Sequence, residues 1–412
     1  MERETLKFVI VGHVDHGKST LIGRLMVDTR SLAKEKVEEI ERESAALGRP
    51  TELAFATDHL EEERGESMTI DTAQAFFRTA KRDYVVIDAP GHAEFIRNMI
   101  TGAALAEAAL LVIDAAEGLR DQTRRHATLL AMLGVRQLAV LVNKMDKVAW
   151  SRERFDALAG EFARFLAGVE LDPRRFIPIS ASLGENVVRR SERMPWYAGP
   201  TVLETLDGFE IPARPSAKPL RFPVQDVYHL AGRRVIAGRV ESGTLGVGDP
   251  VVLLPGGAAS RIGSIERFMS PAIDRAEAGL SIAVTLADDA PVERGTIIAA
   301  AQAPPRVVEA VTANVFWMTP VPLERGERLV LRLATQDVPV AAAGIPRRID
   351  SSTLETIAWD AVQLRENEIG SVVLRAAMPF VAESFAAVPE LGRFVLVRGH
   401  DIVAGGVIPE IA

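Results

Sequence analysis

Gly12-His13-Val14-Asp15-His16-Gly17-Lys18-Ser19 stands near the start of the chain, between two apolar stretches of different character. Before it, Leu6-Lys7-Phe8-Val9-Ile10-Val11 reads as a buried parallel strand. After it, Thr20-Leu21-Ile22-Gly23-Arg24-Leu25-Met26 has the apolar spacing of a helix's first turns. Strand, G-x-x-x-x-G-K-S and helix together form the context of a phosphate-binding P-loop. Its two glycines let the backbone curl so that several N–H groups point at one anion, and the helix N-terminus adds partial positive charge. Residues Gly12 to Thr20 are the expected phosphate cradle. Lys18 is placed to reach the β- and γ-phosphates, and the Ser19 hydroxyl to ligate Mg²⁺.

Three further loops extend the site. Asp83-Tyr84-Val85-Val86-Ile87 reads as a strand ending in Asp88-Ala89-Pro90-Gly91-His92. A carboxylate at the C-terminal end of a parallel strand lies where open α/β sheets bind ligands, so Asp88 is expected to hold Mg²⁺ through water. Gly91 can offer its N–H to a γ-phosphate. His92 follows directly, where an attacking water must be positioned. The strand Gln137–Val142 runs into Asn143-Lys144-Met145-Asp146. The Asp146 carboxylate can accept from guanine N1–H and the 2-amino group, while Asn143 suits the base's other edge. Adenine would leave Asp146 desolvated and unpaired. Arg175-Phe176-Ile177-Pro178-Ile179 ends in Ser180-Ala181-Ser182, whose backbone amides can bind guanine O6. Four such loops in order imply a GTP-binding domain. Upstream, the polar segment Asp58–Asp71 contains Thr69 just before a strand-like run, as a switch loop requires if a threonine hydroxyl is to join the Mg²⁺ shell. Residues 31–43 read as a solvated, highly charged surface helix.

The remaining composition narrows the setting. The chain has 412 residues, 48% apolar, enough for two or three domains with substantial cores. It has no cysteine, which excludes disulfides, thiolate metal sites and a cysteine nucleophile. No apolar run is long enough to span a bilayer. The start, Met1-Glu2-Arg3-Glu4, lacks the apolar segment of a secretory signal, so a cytoplasmic protein is expected. A net charge of −8 argues against broad adsorption to nucleic acid.

Gly12–Thr20, Asp88-Ala89-Pro90-Gly91-His92 and Asn143-Lys144-Met145-Asp146 resemble the translation-factor superfamily of GTPases, and the likeness runs over essentially the whole chain. That resemblance implies an α/β P-loop GTPase domain followed by two β-barrel domains, the elongation-factor-like three-domain architecture. It implies GTP and Mg²⁺ as cofactors, with Ser19, Thr69 and Asp88 serving the metal and His92, Lys18 and Thr69 serving hydrolysis. The expected divisions are 1–207 for the GTPase domain, 208–303 for the first barrel and 304–412 for the second. Ile211–Pro219 reads as a proline-stiffened linker, and Ala303-Pro304-Pro305 as a second joint. Between and after them, short β-prone runs punctuated by glycine fit small barrels. One departure is Ser67 in Glu63-Arg64-Gly65-Glu66-Ser67-Met68-Thr69, where the family usually has glycine.

The C-terminal half resembles one branch of that superfamily, the GTPase subunit of bacterial heterodimeric sulfate adenylyltransferase. The residues concerned are Leu286–Ile298, Val315-Phe316-Trp317-Met318, Ser352-Thr353-Leu354-Glu355, Leu364–Gly370 and Leu391–Val397 with Ala404–Ile408. That branch usually has aspartate where this chain has Thr296, and aspartate at His16. The implied function is coupling of GTP hydrolysis to adenosine 5′-phosphosulfate formation on a catalytic ATP sulfurylase subunit, in a heterodimer or higher assembly, with no membrane or nucleic-acid partner. The alternative is an elongation factor-like GTPase delivering aminoacyl-tRNA.

Overall fold

The apolar run before the P-loop forms strand β1 (Thr5–Gly12), in which Phe8 to Val11 are shut off from solvent. Helix α1 (Lys18–Asp28) turns Leu21, Ile22, Leu25 and Met26 onto the sheet's core. The first unit continues through β2 (Gln74–Arg78), β3 (Asp83–Asp88), β4 (Ala108–Asp114), α2 (Asp121–Met132), β5 (Leu138–Asn143), α3 (Arg152–Gly168), β6 (Arg175–Pro178) and α4 (Val202–Gly208). The strand order is β2-β3-β1-β4-β5-β6, with β2 antiparallel and the rest parallel. Strands β4 and β5 are buried at every residue, as expected for parallel strands sealed on both faces. The chain crosses from β3 on one side of β1 to β4 on the other, so the ligand crevice belongs at the C-terminal ends of these strands.

The structure, a computed structural model, describes residues 3–32, 38, 74–88, 106–211, 215–230, 232–267 and 271–411. Thr69, Gly91, His92 and Ser67 lie outside them, as do the switch loop and nearly all of the expected surface helix. The chain divides into two units, Met1–Pro212 with Ser351–Leu354, and Ala213–Asp350 with Glu355–Ala412. No helix among the described residues is long and apolar enough to cross a membrane.

The second unit holds two barrels, so the periodicity beyond residue 220 is that of strands, as its alternation suggested. The first barrel closes in the spatial order Pro250–Leu254, Ala258–Glu266, Ser281–Leu286, Arg233–Arg239, Arg221–Leu230 and Ile297–Ala300, antiparallel throughout. The second runs Arg328–Leu333, Arg393–Arg398, Asp401–Val407, Arg306–Trp317, Glu368–Ala382 and Gln336–Asp350, which pairs back onto the first. Thr356–Ala361 adds a seventh strand beside Gln336–Asp350. Each barrel has its own apolar core, around Phe222, Val224 and Ile236 in one and Trp317, Leu331 and Phe394 in the other. A smaller cluster, Leu254, Ile297 and Ala299 against Val381, Val388 and Leu391, joins them. Beside it, Arg221 is buried and grips both Glu383 oxygens, at 2.7 and 2.8 Å.

Candidate functional site

The P-loop leaves the end of β1 so close to β4 that a Cβ on Gly12 would come within 2.5 Å of the Val112 carbonyl oxygen. At the far end, Gly17 sits in the left-handed region at φ +92°, and a Cβ there would collide with the Asn143 amide. Both positions therefore require glycine for close approach. Gly17 is also the N-cap of α1, and no side chain caps that helix. A helix start without a capping side chain suits an anion. Lys18 curls back across the loop, its Nζ donating to the Gly12 and His13 carbonyls at 2.9 Å each.

Beneath the loop lie imidazoles. His16 is fully buried, with Nδ1 3.2 Å from the Val112 carbonyl oxygen and Nε2 3.7 Å from the Glu117 carboxylate. Burial holds its pKa below the usual histidine range. His13 meets the His16 ring edge to face at 5.2 Å and contacts the Gln122 side chain. Burial, reinforced by the nearby Lys18 charge, pushes His126 of α2 down to about 3. His16 and His126 are therefore neutral at ordinary pH, and Lys18 is not opposed by imidazolium at those two positions. Among the described residues, no three His, Cys, Asp or Glu side chains are grouped to hold a metal.

The loops expected to meet the base are stitched to the P-loop by polar groups, of which Asn143 and Asp114 are buried. Asn143 ends β5, and its Nδ2 donates to the His16 carbonyl at 2.8 Å while its Oδ1 accepts from the Ala181 amide at 2.9 Å. Its side-chain amide thus joins two loops through one donor and one acceptor, because β5 ends between them. Lys144 follows in the left-handed region at φ 60°. Its Nζ lies 2.8 Å from Asp114 Oδ2 and also donates to the Asp15 carbonyl. Asp146 begins the next turn, and the Ser180 hydroxyl donates to its Oδ1 at 2.6 Å. That bond orients one oxygen of the carboxylate. Of the three amides expected to meet guanine O6, that of Ser180 donates to the Glu185 carbonyl and that of Ala181 to Asn143. The Ser180-Ala181-Ser182 loop therefore spends two of its amides on its own turn and on Asn143. Ser182 also serves the fold, its carbonyl accepting from Arg24 of α1.

Asp88 ends β3 opposite Ile10 in the register with β1, two residues before Gly12, so its backbone reaches the same edge as the P-loop. Asp114 and Arg24 are residues that sequence reasoning passed over. Asp114 carried a readable signal, since it ends a buried strand just as Asp88 does. Arg24 carried none, because nothing in a helix's spacing announces which carbonyls its outer face will meet.

The family models agree with this arrangement. The family described as elongation factor Tu GTP binding domain matches residues 3–212, elongation factor Tu domain 2 matches 233–299, and the GTP-eEF1A C-terminal domain-like family matches 310–409. A bifunctional enzyme CysN/CysC of Mycobacterium tuberculosis is 37% identical over 99% of this chain and 68% of its own length. An elongation factor 1-alpha of Sulfolobus acidocaldarius is also 37% identical, over 100% of this chain and 98% of its own. A crystal structure of sup35 complexed with GDP aligns at 25% identity with a TM-score of 0.47, covering 100% of this chain and 95% of that one. With a P-loop, an N-K-x-D turn and two closed barrels in this order, the chain belongs to the elongation factor Tu family of GTP-binding proteins.

Proposed function

We propose that this GTPase is the energy-coupling subunit of a sulfate adenylyltransferase, driving formation of adenosine 5′-phosphosulfate from ATP and sulfate on a partner chain. One observation carries the reading: residues 286–408 resemble that branch motif by motif. The alignment with CysN/CysC runs through the same stretch, covering 99% of the chain. Forming the phosphosulfate anhydride is strongly uphill, so GTP hydrolysis has a thermodynamic purpose there. The sequence carries a single P-loop motif, and in this reading ATP and sulfate bind another polypeptide.

In this reading residues 12–20 cradle the phosphates, with Lys18 on the β- and γ-phosphates, and Asp146 reads guanine. The uncapped start of α1 and the Lys18 ammonium held at the loop fit a nucleotide polyphosphate. Ser19, with Thr69 and Asp88, would hold Mg²⁺, which spreads negative charge off the transferred phosphoryl group. His92 orders the attacking water, and Gly91 reports the γ-phosphate through its amide. Coupling requires that the GTP and GDP forms contact the partner differently, since equal affinity shifts nothing. Cytoplasmic residence and the divisions 1–207, 208–303 and 304–412 belong to the same proposal.

The chain alone should make no adenosine 5′-phosphosulfate, and adding the adenylyltransferase partner should yield GTP-stimulated synthesis that Lys18→Ala abolishes. The elongation factor 1-alpha relative at equal identity favours a second reading, delivery of aminoacyl-tRNA. A stable GTP-dependent complex with aminoacyl-tRNA, with sulfate activation unchanged, would decide for it.

A further inference from the structure

The residue after β5 adopts a backbone conformation that L-residues disfavour, and something must hold it there. Lys144 is that residue, and its left-handed turn swings the chain from the Asn143 latch into the short helix Met145–Val148 that carries Asp146. Its ammonium is gripped from two sides, by Asp114 at the end of β4 and by the Asp15 carbonyl in the P-loop. Asp114 is 1% exposed and sits beside Asn143 in the β4–β5 register. It also accepts from the Ala116 and Glu117 amides, at 2.7 and 3.2 Å through Oδ1. Burial alone would raise its pKa. Lys144 and the two amides outweigh that and hold the carboxyl below the usual range, so it stays ionised at neutral pH.

We propose that Asp114 is a positioning residue for guanine recognition: by anchoring Lys144 it fixes the Asn143–Asp146 turn against the P-loop, and so sets nucleotide retention and base selectivity. Its Oδ1 is occupied by the local turn and its Oδ2 by Lys144, a division of labour that separates a structural half from a functional half. Asp114→Asn can keep the first, by presenting its carbonyl to the Ala116 and Glu117 amides, and must lose the second, by facing an ammonium with an amide. The inference rests on the GTP-binding reading, and the unmutated chain tests that reading separately: it should bind GDP and discriminate against ADP.

The test compares GDP dissociation, and the ratio of GDP to IDP affinity, in the full chain and in Asp114→Asn, Lys144→Met and the double variant. Inosine lacks the 2-amino group that Asp146 would accept from, so IDP reads the placement of that carboxylate. Expected is about tenfold faster GDP release and a several-fold lower GDP/IDP ratio in Asp114→Asn, at a nucleotide-free melting temperature close to that of the unmutated chain. In the Lys144→Met background, Asp114→Asn should add nothing, because the route through Lys144 is already gone. Additive effects in the cycle would overturn the proposal. So would an unchanged release rate and GDP/IDP ratio beside a lowered melting temperature, which would make Asp114 structural only. Failure of the unmutated chain to prefer GDP over ADP would instead sink the GTP-binding reading itself.

Discussion

The nucleotide face of the first unit and the joint between the barrels of the second both bury polar groups, and they use them oppositely. At the joint, Arg221 makes four hydrogen bonds, two to Glu383 and one each to the Leu220 and Ala303 carbonyls, all within the protein. At the nucleotide face, Asn143, Lys144 and Asp114 bind loops to one another, while the start of α1 is left without a capping side chain. A saturated network makes a fixed junction. A network that orders its surroundings but leaves a helix end uncapped makes a receptor for an anion.

Breaking the joint should produce the largest effect. Arg221→Ala leaves the partly buried Glu383 uncompensated, which costs up to about 3 kcal/mol, the low end for broken buried pairs. Urea unfolding of the second unit's transition should report it, and an Arg221→Met/Glu383→Leu pair should recover most of the loss. A small effect would mean that water reaches the pair and the joint is not saturated after all.

At the nucleotide face the cost should fall on the ligand. Lys18→Ala removes charge-assisted bonds to phosphate, each worth roughly 1.5–3 kcal/mol. GTP affinity by fluorescence titration should fall at least tenfold while the nucleotide-free melting temperature stays nearly constant. A matching drop in melting temperature would make Lys18 a structural residue of the kind found at the joint. Base reading should separate in the same way: Asp146→Asn should move preference from GTP toward xanthosine triphosphate, whose 2-oxo group accepts from the new amide.

A modest effect is expected at α4, whose Thr201 and Glu204 form a capping box with bonds of 3.1 and 2.8 Å. Thr201→Ala should cost about 1 kcal/mol. The contrast with α1 sharpens the comparison, because a helix end with no ligand to serve is closed by its own side chains. The smallest effect, and one that falls further in acid, belongs to His126. Its folded pKa of about 3 lies below the unfolded 6.5, so its neutral form supports stability above pH 6.5 and that support is lost as pH falls toward 3. The stability difference between the unmutated chain and His126→Gln should therefore shrink through that window. A difference independent of pH would show that the imidazole is not held neutral.

The P-loop, the N-K-x-D turn and the strands that present them were legible because each is local: a few consecutive residues carry both the chemistry and the backbone conformation it needs. Alternation and glycine spacing likewise announced β-rich structure after residue 220, since side-chain period is a property of the strand itself. The branch resemblance is legible at the same level and carries the proposed sulfate chemistry no further than a lineage. What tertiary structure alone decided are the contacts between loops distant in the chain. Asn143 faces His16 and Ala181 because β5 ends between β1 and β6's loops, and no spacing rule contains that fact. Asp114 meets Lys144, and Arg221 meets Glu383 across 162 residues, through neighbouring strand ends and packed barrels. Such pairs are set by which strands become neighbours, and that depends on how the whole chain buries its apolar surface.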